Sequence, residues 1–160
     1  MTIDNYSQQL DCAFKNEIYG EAIFTVMARF SISKEYRNKW LKLARLEALT
    51  QAKLAPITSP AGIFSHKANA YKGYIVGAIA LFLPKRFFIK VLLRETERYI
   101  PMFKQLELLG PVTDRPILLY LTAHEQALAD FSKMELFGSH QESLTPILLI
   151  LALHKLPAME

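Results

Sequence analysis

One cysteine, Cys12, stands in a chain of 160 residues. No internal disulfide can form, and no metal cluster can be built on thiolates alone. Glycine is scarce as well, six in all, and Gly/Pro clusters are few, whereas a many-turned β fold needs frequent breaks. Charge of one sign is also thin. Nineteen Lys and Arg against fifteen Asp and Glu leave +4, with pI near 9.2. That is far from the dense cationic stripe of a dedicated nucleic-acid binder, so no specific nucleic-acid binding is expected. Long apolar runs are missing. The nearest, GYIVGAIALFLP at 73–84, is bounded by Lys72, Lys85 and Arg86 and has the length of a buried helix rather than a membrane span. The opening MTIDNYSQQLD has neither the basic region nor the apolar core of a secretory signal, which predicts a reducing, cytoplasmic setting. No Gly-rich phosphate loop follows a strand, no Ser sits at an elbow, and no Cys–His arrangement stands out, so no catalytic residue is assigned. Without repeats, low-complexity tracts or linkers, residues 1–160 read as one domain.

Hydrophobic residues, at 51%, fall at helical spacing. A first helix is predicted over 7–31, with stripes Leu10, Phe14, Phe24, Ala28 and Tyr19, Ile23, Met27, Phe30, so it is apolar on two sides. Ser33 is an N-cap candidate, and Glu35 falls in the first turn of a second helix over 34–54. Its stripe is Tyr36, Trp40, Leu43, Glu47, Thr50, Leu54; its other face carries Lys34, Lys39, Lys42 and Arg45, and Pro56 and Pro60 end it. A shorter helix covers 66–82, ahead of Leu83-Pro84. Residues 85–109 form the next, with stripe Phe88, Leu92, Glu95, Tyr99, Met102, Leu106, Leu109, stopped by Gly110-Pro111. Asp114 is expected to cap a helix over 115–137, with stripe Leu118, Leu121, Glu125, Leu128, Ser132, and Gly138 closes it. Thr145-Pro146 opens a short, nearly all-apolar helix to 155 that must dock on the rest of the chain, a partner or a membrane.

Four of these stripes contain a carboxylate: Glu17, Glu47, Glu95 and Glu125. Glu17 and Glu47 each lie fifteen residues from Ile32, which sets both roughly 22 Å from the first turn and facing one another in an antiparallel hairpin. Glu95 lies fourteen residues before Leu109 and Glu125 eleven after Asp114, heights that agree to about one helical turn. Glu21 is one turn from Glu17. Four buried charges in one layer need compensation, by metal ions, by protons, or by cations such as Arg94, Arg98 or Lys15 reaching in.

The stretches EIYGEAIFTVMARF and LARLEALTQAKL resemble the first helix pair of a ferritin-like, rubrerythrin-type protein, and LLRETERY with LTAHEQALADF is similar to the second pair. The resemblance implies an all-α, ferritin-like four-helix bundle with extra short helices near 66–82 and 145–155. It also implies a carboxylate-bridged pair of iron or manganese ions, with one Glu on each of two helices and Glu-x-x-His on each of the others. Glu17 or Glu21 matches the first glutamate, Glu47 the second, Glu95 or Glu97 the third, and Glu125 the last. The two histidine places hold Thr50 and Leu128. His124 stands next to Glu125, about 100° away around the helix. His66, His140 and His154 have no ligand spacing.

The expectation is therefore a bundle with a degenerate or remodelled di-metal site on Glu17, Glu21, Glu47, Glu95, Glu125 and His124. No tight di-iron centre is expected, and the role is that of an interaction or structural module. The alternative is a di-iron or di-manganese oxidoreductase using oxygen or peroxide, or a hydroxylase at a membrane surface with IALFLPKRFFIKVLL in the interface. The apolar helical surface suggests a homodimer as the partner. Arg86, Lys90, Arg94 and Arg98 form a ridge expected to pair with acids such as Glu97.

Overall fold

The computed structural model describes residues 3–58 and 63–154, with side chains over 5–58 and 66–154. Its elements are all helices: α1 Ile3–Phe30, α2 Lys34–Leu54, α3 Ile63–Ala80, α4 Lys85–Leu109, α5 Arg115–Phe137 and α6 Thr145–Leu153. The second, fourth and fifth match the bounds expected from the sequence. The first begins earlier than residue 7. The third also begins earlier and ends at Ala80, because the chain tightens into Phe82 N–H to Ile79 O and Leu83 N–H to Ala80 O turns ahead of Pro84. Pro60 and residue 155 lie outside the described residues.

The turn chemistry explains the boundaries. Ser33 accepts from the Tyr36 amide at 3.4 Å and starts α2. Gly138 takes φ 99°, in the left-handed region that suits glycine, and ends α5. Asp114 does not cap α5 with its side chain as expected. It accepts instead from the Tyr6 hydroxyl at 2.8 Å, tying the start of α1 to the start of α5.

Residue pairs set the helix directions. Phe24 stacks on Trp40 and Gln51 bonds Glu17 O and Glu21, so α1 and α2 run antiparallel. Phe24 also meets Phe88, and Leu10 shares a cluster with Phe103 and Leu106, so α4 runs opposite to α1. Tyr6 with Asp114 and Glu17 with His124 make α5 parallel to α1. Along the chain the four long helices thus run up, down, down, up. The long connection between the second and third of them contains α3, which lies parallel to α1. Their closeness depends on glycine: a Cβ at Gly73 would come within 2.5 Å of Tyr19 O, and one at Gly77 within 2.8 Å of Ile23 O.

The core has two apolar halves. One gathers Phe24, Trp40, Phe88 and Phe131; the other gathers Leu10, Leu54, Phe103, Leu106, Leu118 and Leu121. Between them, at the middle of α1, α2 and α5, sit Glu17, Glu47, Thr50, His124 and Glu125, all buried. α6 packs on α2 and α5 through Ile147 and Ile150, while Leu148, Leu149 and Leu153 remain exposed. The expected docking of this helix therefore engages one face only. Lys39, read from the sequence as part of an outer cationic face, is buried against Glu135.

Candidate metal centre

Each member of the polar layer is placed by a helix that has local reasons to form. Glu17 projects from the apolar stripe of α1, Glu47 from that of α2, and His124 from α5. One ligand atom from each lies within 4.8 Å of the others. His124 Nδ1 stands 3.4 Å from Glu17 Oε2, and Nε2 stands 3.7 Å from Glu47 Oε1. Donors sharing one ion at about 2.0–2.2 Å stand roughly 3–3.5 Å apart; the Nε2–Glu47 separation is close to that, whereas Glu17 approaches Nδ1 and has to turn toward Nε2 to share the ion. Glu17 Oε2, His124 Nε2 and Glu125 Oε2 are buried and make no hydrogen bond within the protein. Orphaned polar atoms are rare in native interiors. Three in one layer fit a missing ligand, and residues Glu17, Glu47 and His124 suit a divalent transition ion.

Thr50 decides the histidine's tautomer. Its hydroxyl donates to Leu46 O at 3.0 Å, so its lone pairs are left for Tyr120 OH at 3.0 Å and His124 Nδ1 at 3.2 Å. Nδ1–H then donates to Thr50, and Nε2 carries the free lone pair of a metal ligand. Thr50 on α2 thus positions the histidine supplied by α5. A further residue makes room. A Cβ at Gly20 would lie 3.0 Å from Glu47 Cδ and Oε2, so glycine lets that carboxylate rest against α1.

The other expected candidates divide. Glu125 lines a cavity of about 230 Å³ together with Glu17, Glu47 and Glu95, walled by Ile23, Phe24 and Leu128 among others. Glu95 sits toward the outside, bridged to Arg94 at 3.2 Å and Arg98 at 3.7 Å. Those arginines remain at the surface, and Lys15 pairs with Asp11. The expected inward-reaching cations are therefore absent among the described residues. Glu97 faces outward to Lys133. Glu21 is held by Gln51 Nε2 at 2.6 Å, beside the cluster but not in it. His124 reaches the cluster despite its angular offset from Glu125. The offset turns it toward Thr50 and Tyr120, while Glu125 faces the cavity. Thr50, Tyr120 and Gly20 had no motif to announce them. Thr50 alone carried a signal, as the residue three after Glu47 on the inner stripe.

Without an ion, protons neutralise the layer. Burial first, then Glu47 and Glu125, raise Glu17 well above the ordinary carboxylate range. Burial, and to a smaller extent Glu47, lifts Glu125 to about 8, although His124 opposes the rise. Burial pulls His124 down, but the adjoining Glu47 and then Glu125 outweigh it and leave it raised. Burial also holds the Tyr120 phenol protonated well above its usual range.

The sign for stability follows. Folded Glu125 keeps a proton up to about pH 8, whereas the unfolded carboxyl releases it near 4.5. Its contribution is full below the unfolded value and lost as pH rises through the folded one, and raised Glu17 and His124 act in the same direction. The metal-free protein should lose a few kcal/mol between about pH 5 and about pH 9. Urea unfolding at both ends checks this, and Glu125→Gln should flatten the slope.

The fold and centre define an all-α protein with a buried carboxylate–histidine cluster opening on an apolar cavity. Compared with known proteins, the chain matches no family model, no curated protein and no solved structure. Among the described residues no helix is long and apolar enough to cross a membrane.

Proposed function

We propose that the chain is a ferritin-like helical protein with a remodelled, one-metal centre, in which Glu17, Glu47 and His124 hold a single divalent iron or manganese ion. The carrying observation is the convergence of three buried ligand atoms, two of them orphaned, with Glu17 and Glu47 lining a cavity. The helix order supports the family reading, since an up, down, down, up course with one long crossover is that of ferritin-like bundles. An ion bound there supplies redox and Lewis-acid chemistry. The protein's own contributions are separable. Thr50 fixes the His124 tautomer, Gly20 leaves space for the Glu47 carboxylate, and Ile23, Phe24, Phe88 and Leu128 keep the cavity apolar. In the metal-free protein Glu125 keeps its proton up to about pH 8, so it stands beside the site as a proton store. The activity that fits is a metal-dependent oxidation or reduction of a small, mostly apolar molecule admitted to the cavity.

One observation favours a second reading, a metal-free interaction module: the raised Glu17 and Glu125 allow the layer to stay neutral without an ion. The test is elemental analysis of protein loaded anaerobically with ferrous or manganous ions and then desalted. One ion per chain is expected. Two per chain would restore a di-metal site with Glu125 as a ligand. None at neutral and mildly alkaline pH would leave the interaction module.

A further inference from the structure

α3 is apolar on both sides. Its inner side is used: Gly73 and Gly77 press on the α1 backbone, and Val76 lines the cavity. Among the described residues its outer side has no neighbour. Tyr71, Tyr74, Ile75 and Ile79 are exposed on adjacent helical rows, and Phe82 at the α3–α4 corner and Phe87 in the first turn of α4 are exposed as well. Phe82 is 90% exposed and Tyr71 67%. Single exposed apolar residues are ordinary, but six large ones on one helix and the corner that follows it are not.

The charge around this row is one-sided. Residues 48–94 contain no Asp or Glu and seven Lys or Arg, while the rest of the chain is net negative. Lys72, Arg86 and Lys90 are exposed at the edge of the row and make no ion pair among the described residues. Lys85, also exposed, lies 3.8 Å from the Tyr36 ring centroid. Two occupants would cover the apolar side chains, and the charges choose between them. A symmetric dimer lays the patch on its own copy, so Lys72, Arg86 and Lys90 would meet like charges with no acid in the segment to answer them. A lipid surface takes both parts at once. Acyl chains receive the phenylalanine and isoleucine side chains, and anionic headgroups receive the cations on their long apolar stems.

From this we infer that the outer face of α3, together with the α3–α4 corner, docks the protein on an anionic lipid bilayer surface without spanning it. Juxtamembrane cations add roughly 1 kcal/mol each at an anionic surface, about fivefold in partitioning. Three of them therefore predict a preference on the order of a hundredfold for charged over neutral vesicles.

Flotation of the full chain with phosphatidylcholine vesicles, and with vesicles containing phosphatidylglycerol, tests this. Binding should appear with phosphatidylglycerol, fall on the order of a hundredfold without it, and weaken with added salt. The Lys72→Gln, Arg86→Gln, Lys90→Gln variant should lose the preference for charged vesicles. Phe82→Ser should weaken binding to them at every charge density. Both substitutions lie on exposed side chains, and matching thermal melts would show that the fold is kept. Equal binding to both vesicle types, or to neither, overturns the proposal. So would a concentration-dependent dimer that Phe82→Ser abolishes, or salt-sensitive binding of a single-stranded RNA oligonucleotide in place of vesicles.

Discussion

Replacing Lys39 by alanine is expected to destabilise the protein by about 3–5 kcal/mol, the range found when one partner of a buried ion pair is removed. Lys39 Nζ donates to Glu135 Oε1 at 2.6 Å and to His140 O at 2.8 Å, and it also reaches Glu35 at 2.6 Å. The Lys39 and Glu135 side chains are 4% and 1% exposed. Tyr36 OH donates to Glu135 at 3.0 Å, and Ser143 Oγ donates to it as well. The network joins α2, α5 and the turn that launches α6. Without the ammonium, a carboxylate stays buried with two hydroxyl donors and a half-exposed histidine. Burial alone would raise Glu135, but Lys39, Ser143 and Tyr36 reverse that and hold it below the ordinary range. Its stabilising contribution is thus present above the unfolded carboxyl value and lost as pH falls through the folded one. The alanine penalty should shrink in acid. Urea unfolding at neutral pH measures the loss. Lys39→Met combined with Glu135→Leu should recover most of it, because an apolar pair of similar volume carries no stranded charge. A loss below about 1 kcal/mol for Lys39→Ala would mean that water reaches Glu135 after all.

Lys39 also shows what local pattern cannot reveal. On the sequence it belongs to a face with Lys34, Lys42 and Arg45, and its partner is 96 residues away. Helical periodicity reports which side of a helix is apolar, and with the turn signals it set the bounds of α2, α4 and α5. It placed Glu17 and Glu47 opposite one another, because both heights are measured from one short turn. The height of a residue on a second hairpin depends on how the hairpins slide past each other, so Glu95 fell toward the cavity mouth while Glu125 fell inside. His124 was legible only as a neighbour of Glu125. Its entry into the cluster depends on the rotation of α5 against α2, set by Thr50 and Tyr120. α3 misled in another way. Its apolar half, GYIVGAIALFLP, reads as a buried helix, yet among the described residues its outer face is bare, because only its glycine-lined side meets α1.

Glu47→Gln is expected to move two quantities in opposite directions. Metal affinity should fall by more than a hundredfold. Losing an outer partner of a metal ligand typically costs ten- to hundredfold, and a direct ligand costs more. Thr50→Val supplies the comparison. It should stay within the ten- to hundredfold range, since it frees the His124 tautomer without removing a donor to the ion. The metal-free protein, in contrast, should keep or gain stability in Glu47→Gln. Glutamine has nearly the same shape, so the space beside Gly20 still accommodates it. The substitution also removes a group that raises both Glu17 and Glu125, and a neutral amide is less costly to bury than a carboxylate. His124 loses the neighbour that kept its pKa up and should become neutral at lower pH. That change is visible by NMR titration of the imidazole. Paired measurements, metal titration and thermal unfolding of the metal-free form, separate a ligand from a structural carboxylate. A ligand gives weak binding with a melting temperature unchanged or higher. If instead both variants bind metal as tightly as the natural chain while Glu47→Gln melts well below it, Glu47 is a structural carboxylate and the one-metal centre is wrong.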